Sequence, residues 1–279
     1  MADGFIINVC LTGMVPTREM SPHVPMTPRE IARDVKACVE LGASIVHVHA
    51  RDDNGAPDWR SERYQAILEA IREQTPDVII SVSTSGRRIG DLDKRLACLA
   101  CNPKPDMASL TMGSINFLRD STLNSLPTIR ALAEVINDRG IKPEIEVFDL
   151  GMARATTRLA DEGLLRPPFC VNLLLGNVAS AGATPLDLGV LQSHLPGSVF
   201  WCGAGIGRDQ LRANALGILF GNGVRVGLED NLYLDECKTL ATNQALVERV
   251  VRLGRLLGKE PMSIAETRER LACPRHPTT

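Results

Sequence analysis

Two of the five histidines stand one residue apart, as His47-Val48-His49, inside the run Ser44-Ile-Val-His-Val-His-Ala50. The run is β-branched and apolar on one parity. Gly42 precedes it and Asp52-Asp53-Asn54-Gly55 follows, which predicts a strand over 44–50. Alternate side chains on a strand share a face, so both imidazoles project one way while Val46 and Val48 project the other. Two such imidazoles make half of a metal site. The bland alternative is a pair of hydrogen-bonded polar side chains on a solvated face. The rest of the chain decides between them, according to whether it brings further ligands to the same place.

The elements that would do so alternate along the chain. Strand-like runs lie at 5–12, 44–50, 78–83, 107–112, 143–148, 169–175, 199–203 and 224–229. Helical periodicity fills 28–41, 61–73, 91–100, 125–139, 152–162, 185–194, 209–221 and 236–257. Thr27 with Pro28 and Glu30 reads as a capped helix start, and glycines such as Gly42, Gly140 and Gly163 follow helices. Strand then helix, eight times in 279 residues, predicts an α/β fold, the (β/α)8 TIM barrel. A doubly wound sheet would more often show about six units. With no linker or composition break, one domain over 1–279 is expected, ending in a helical appendix near 263–271.

Bulk properties exclude several function classes. The chain is 44% apolar, enough for a large core, and its net charge of −2 gives no footprint for nucleic acid or an anionic membrane. No apolar run approaches the roughly 20 residues of a membrane span. No basic segment opens the chain, so no signal peptide is expected. Eight cysteines are scattered through apolar patterns, which suits buried thiols in a reducing cytoplasm. Cys98-Leu-Ala-Cys101 lacks the second pair or nearby histidines that a zinc knuckle needs.

Strand parity then assigns a polar interior. Ile7, Val9, Val46, Val48, Val82, Ile145, Val147 and Val226 share the helix-facing parity. Asn8, Thr12, His47, His49, Ser81, Ser83, Ser109, Thr111, Glu144, Glu146, Asn172, Arg225 and Glu229 share the inward one. Buried ionisable groups must pair or bind a metal, and an Arg225–Glu144 ion pair would satisfy part of the set. Active sites in such barrels sit at the C-terminal strand ends, where His49, Ser83, Thr111, Glu146 and Glu229-Asp230 fall. Two histidines and a glutamate with one open position are a catalytic zinc pattern, and Glu229 has the parity to be the third ligand. Asp230, at the strand end, could turn inward as a free carboxylate able to take a proton from carbon. His23 is a weaker ligand candidate, and His194 and His276 read as surface residues. Gly203-Ala-Gly205-Ile-Gly207-Arg208 follows the seventh strand at a helix start, where barrels often hold phosphate. No acidic ribose-binding position follows on a strand, which argues against NAD.

In this order the motifs carry a family resemblance. They are Thr12-Gly13, Met20-Ser-Pro-His-Val-Pro-Met-Thr-Pro28, His47-Val-His49, Ser83-Thr84 and Asp93-Lys-Arg-Leu96, followed by Pro143-Glu-Ile-Glu146, Ala204-Gly-Ile-Gly-Arg208 and Arg225-Val-Gly-Leu-Glu-Asp-Asn231. Over nearly its whole length the chain resembles the β-keto acid cleavage enzymes. The resemblance implies a zinc-dependent barrel, commonly a homotetramer, that converts a β-keto acid and acetyl-CoA to acetoacetate and a new acyl-CoA. It implies that His47, His49 and Glu229 hold the zinc. Asp230 then deprotonates C2 of the keto acid with support from Arg225, while Ser83, Ser109, Thr111 and Glu146 line the substrate site. Gly203, Gly205, Gly207 and Arg208 are expected at the CoA phosphates. Family members that act on amino-bearing keto acids carry a Glu two residues after the Thr-Gly pair, and here that residue is Val15. A tail without a cation is therefore expected, with Arg18, or else Arg87 or Arg88, placed to hold an anionic one.

Three rival readings remain at this stage. Amidohydrolases also carry His-x-His, but on the first barrel strand and with histidines on later strands. A metal-dependent aldolase or acyl-CoA lyase that does not use acetyl-CoA is closer in chemistry. A non-catalytic zinc-stabilised barrel would need a fully protein-ligated ion, whereas three good ligands are found.

Overall fold

Eight parallel strands close into a barrel in which each strand pairs with its neighbours in sequence and the first pairs with the last. The structure is a computed structural model that describes residues 4–235 and 238–274. The barrel strands are β1 Ile6–Cys10, β2 Ile45–Val48, β3 Ile79–Val82, β4 Met107–Thr111, β5 Lys142–Val147, β6 Phe169–Leu175, β7 Val199–Gly205 and β8 Gly223–Val226. The helices are α1 Pro28–Glu40, α2 Ser61–Gln74, α3 Leu92–Ala97, α4 Leu126–Asp138, α5 Leu150–Asp161, α6 Pro185–Gln192, α7 Gln210–Phe220, α8 Asn243–Leu256 and α9 Ile264–Arg270. This is the expected (β/α)8 barrel.

The two strand parities separate as the sequence implies. Ile7, Val9, Val46, Val48, Val82 and Ile145 pack outward into one apolar layer with Ile31, Val35, Ile67 and Ile71 of α1 and α2. At the barrel floor Ile6, Ile45, Ile79, Met107, Cys170 and Cys202 form a second cluster with Met262, Leu271 and Cys273 around α9. Arg268 of α9 donates to Asp106 at 2.7 Å, which fixes the appendix under the floor. Apolar floor and polar mouth leave the ionisable groups at the C-terminal strand ends.

Two boundaries depart most from expectation. Helical structure expected from residue 236 begins only at Asn243, where the Thr242 side chain caps the Ala245 N–H. Before it, Asp235 accepts from the Lys238 and Thr239 N–H groups, so the chain turns instead of coiling. Residues 236 and 237 lie outside the described residues. The last strand stops at Val226, three residues before Glu229, because Gly227 turns the chain at φ 148°. A side chain at Gly227 would run into the Cys10 carbonyl.

Among the described residues seven cysteines are free and buried, Cys98 and Cys101 among them. Among the described residues no helix is long and apolar enough to cross a membrane.

Candidate active site

His47 lies on β2, His49 is the first residue beyond that strand, and Glu229 sits in the turn after β8. Closure of the barrel brings them together. The two Nε2 atoms are 3.2 Å apart, and His49 Nε2 is 3.2 Å from Glu229 Oε1. One ligand atom from each residue lies within 4.8 Å of the others. The other Glu229 oxygen, Oε2, is buried with no hydrogen-bond partner. Two converging imidazole nitrogens beside an unsatisfied carboxylate oxygen form a donor set that fits a divalent ion.

Glu144 orients this set from below. It faces His47 Nδ1 at 2.8 Å, and accepts from Asn8 Nδ2 at 2.6 Å, Asn172 Nδ2 at 2.7 Å and the Ser81 hydroxyl. A proton on Nδ1 leaves Nε2 aimed at the cluster, the arrangement seen behind metal-bound histidines. Burial works against charge on His47, but Glu144 and Glu229 outweigh it and raise its pKa to about 9. Burial lowers the pKa of His49. A proton and a metal ion therefore compete for the same nitrogens. Burial alone would raise the Glu229 carboxyl too, yet His49, Arg225 and His47 hold it well below the usual range.

Arg225 organises the acids. Its Nη1 donates to Glu146 and its Nη2 to Glu229, both at 2.8 Å, while Nε donates to Asp230 Oδ2 at 2.9 Å. Glu144, the partner considered from sequence, is 3.9 Å away. One guanidinium shared among three acids does not fully offset the burial of Asp230. The Asp230 pKa is raised by desolvation, with Glu229 adding to the rise against Arg225. The group is thereby a stronger base than an ordinary carboxylate.

These residues open on a cavity of about 450 Å³ lined by His47, His49, Ser83, Thr111, Glu146, Arg225, Glu229 and Asp230. Thr111 donates to Glu146 at 2.6 Å. The outer wall is largely apolar, with Met14, Val15, Ile115, Phe117 and Leu118.

Residues 5–272 match the family model described as beta-keto acid cleavage enzyme. The chain belongs to that family. It is 40% identical over 274 residues to the 3-keto-5-aminohexanoate cleavage enzyme of Fusobacterium nucleatum, covering 98% of this chain and 99% of that one. It is 35% identical over 280 residues to the 3-oxoadipate:acetyl-CoA acetyltransferase of Cupriavidus necator, covering 98% and 96%. Among solved structures, apo ObcA superposes with a TM-score of 0.79 at 21% identity, covering 91% of this chain and 66% of that one, a likeness of fold.

Within this family member not every expected site residue reaches the cavity. Ser109 is buried away from the wall, where its hydroxyl accepts from the Thr84 N–H at 3.1 Å. It supports the Ser83-Thr84 loop from behind. Gly203 and Gly205 also leave the wall. A Cβ on either would strike the backbone of α7 or the turn before it, so their missing side chains serve strand–helix packing. Gly207, at φ 59°, and Arg208 do line the cavity. Arg18 pairs with Glu30 at 2.7 Å in the loop after β1 and is not on the wall, whereas Arg87 is. His23 and His194 stay outside the cluster, and His276 lies outside the described residues.

Sequence reasoning missed the Glu144 hub. Its inward parity was visible, but which polar neighbour it met depended on barrel register: Ser109 lies opposite Glu144 and Cys170 on its other side, with Asn172 two residues further along. Asn243 was missed as well. Its side chain accepts from the Leu228 N–H at 2.9 Å and donates to the Leu11 carbonyl and to Asp34, bracing the turn that carries Glu229 and Asp230.

Proposed function

We propose that this enzyme converts a β-keto acid and acetyl-CoA to acetoacetate and a new acyl-CoA, with zinc on His47, His49 and Glu229. The observation that carries the reading is the two-histidine, one-glutamate cluster with Asp230 beside it in a single cavity. The donor set suits zinc and leaves a position for substrate. A zinc ion there would act as a Lewis acid on the keto acid and lower the cost of charge at its oxygens. Names of relatives support acetyl-CoA as the second substrate.

The chain's own groups account for the proton and the positioning. Asp230 removes a proton from C2, between the ketone and the carboxylate. C2 then bonds to the acetyl carbonyl carbon as the CoA thiolate leaves. That thiolate attacks the original ketone, the old C2–C3 bond breaks, and Asp230 returns its proton to give acetoacetate. Net proton change is zero, so one carboxylate serves both directions. Arg225 holds Asp230 through Nε and keeps Glu146 and Glu229 in place. Gly207 and Arg208 are at the wall where CoA would enter.

The wall favours a tail without positive charge. Val15 and its apolar neighbours offer no acceptor, and Glu146, Glu229 and Asp230 are all engaged by Arg225. An ammonium there would lose its water without gaining a carboxylate. The reading includes the tetramer and the reducing cytoplasm that the resemblance and the thiols imply.

Two variants test the roles. Asp230→Asn is expected to retain zinc and fold but lose turnover on the order of 10²-fold or more. His47→Ala is expected to lose the metal itself. Near-normal turnover in the first, or full zinc content in the second, contradicts the assignment.

A further inference from the structure

Arg87 reaches the cavity wall from the loop after β3, but its guanidinium is already engaged. Its guanidinium carbon lies 3.8 Å from the Phe117 ring centroid. Its Nε donates to Asp120 Oδ1 at 2.8 Å, and Nη2 approaches the same oxygen at 2.7 Å. Arg88 approaches the other Asp120 oxygen at 3.4 Å. Asp120 itself does not line the cavity. It closes a short hairpin, Ile115–Asn116 with Ser121–Thr122, whose turn is held by the Phe117 N–H donating to the Asp120 carbonyl at 2.7 Å. Phe117 and Leu118 of that turn are wall residues. The Arg87 and Asp120 side chains are only 21% and 19% exposed, so the pair is shielded from the solvent that weakens surface ion pairs.

We propose that Asp120 sets tail specificity: by occupying the Arg87 guanidinium it excludes β-keto acids whose tail ends in a carboxylate. A guanidinium can grip a carboxylate through two parallel N–H donors. Here Asp120 takes Nε and Nη2, and an incoming tail carboxylate must displace it or lie beside a like charge. With Asp120 neutralised, the same arginine becomes an anion receptor beside the apolar wall of Phe117 and Leu118. Specificity then follows from a residue that never touches substrate, acting through one that does.

The inference rests on the cavity being the keto-acid site. The test compares 3-oxohexanoate with 3-oxoadipate, which share a carbon skeleton and differ in the tail carboxylate. Wild type is expected to prefer 3-oxohexanoate. Asp120→Asn should move the kcat/KM ratio toward 3-oxoadipate on the order of tenfold, mainly through KM, because a buried charge-assisted hydrogen bond is gained. Adding Arg87→Gln should abolish the gain, which a loosened hairpin alone would not do. Asp120→Ser gives the same comparison if the Asn variant melts early. An unchanged ratio, a gain that survives Arg87→Gln, or a wild type that already prefers 3-oxoadipate overturns the proposal. If wild type turns over neither compound, the acetyl-CoA reading fails on its own. Calorimetric titration of adipate into the three proteins then decides the inference: tighter binding in Asp120→Asn that is lost with Arg87→Gln supports it, and equal affinities overturn it.

Discussion

Four side chains converge on the Glu144 carboxylate, and one of them is a candidate metal ligand. Burial would raise this carboxyl, but His47, Arg225 and the Ser81 hydroxyl hold it far below the ordinary range. It therefore stays an acceptor for His47 Nδ1–H and keeps Nε2 turned to the cluster. Glu144→Gln should weaken zinc binding by about 10–100-fold, as loss of such a partner does elsewhere. Competition with a chromogenic chelator measures this, and an unchanged affinity would show that the imidazole is oriented by packing alone. The two candidate histidine ligands were legible in the chain because alternate side chains on a strand share a face. Glu144 was legible as an inward acid but not as their support. Parity gives a direction, whereas the choice between Arg225 and His47 as partner depends on three-dimensional register.

Element boundaries carry the rest of the site. Glu229 was expected to face inward by strand parity. It does face inward, but for a different reason: β8 has ended, and the turn at Gly227 brings both Glu229 and Asp230 to the cavity. Alternation of strand and helix was readable because periods of 2 and 3.6 differ clearly over ten or so residues. A three-residue error at a strand end was not, because apolar Val226 and Leu228 continue the pattern through the turn. Glycine spacing at the end of β7 has a packing role that the sequence pattern does not show. Gly205→Ala should cost about 1–3 kcal/mol of stability by forcing α7 away from β7. A denaturant titration would show it, and a variant of native stability with a selective acetyl-CoA defect would instead favour the phosphate reading. At the start of α1, Glu30 accepts from the Met26 and Thr27 N–H groups and from Arg18, and its pKa falls to about 2 although burial opposes this. A depressed carboxylate stabilises fully above its unfolded value and loses that contribution as pH falls through its folded one. The stability gap between wild type and Glu30→Gln should thus be widest above the unfolded value of 4.5 and close as pH approaches about 2. A gap independent of pH would place the effect in packing. The side chain is 30% exposed, so solvent screening keeps the gap small.

For the molecule as a whole, the barrel divides its labour between its ends. An apolar floor sealed by α9 supplies packing, and the opposite mouth collects the ionisable groups that packing would otherwise exclude. The cost of burying Arg225 with three acids is met by mutual pairing and, in our reading, by a metal at the histidines. Such a site is suited to taking a proton from carbon beside a carbonyl. The central claim is that the acetyl group of acetyl-CoA ends in acetoacetate. Zinc-reconstituted enzyme should be given unlabelled 3-oxohexanoate and acetyl-CoA labelled at its acetyl carbonyl carbon, and the products followed by carbon NMR. The account predicts label at the ketone carbon of acetoacetate, an unlabelled new acyl-CoA, and no reaction after chelation. Acetoacetate without label, or cleavage of the keto acid in the absence of acetyl-CoA, would contradict it.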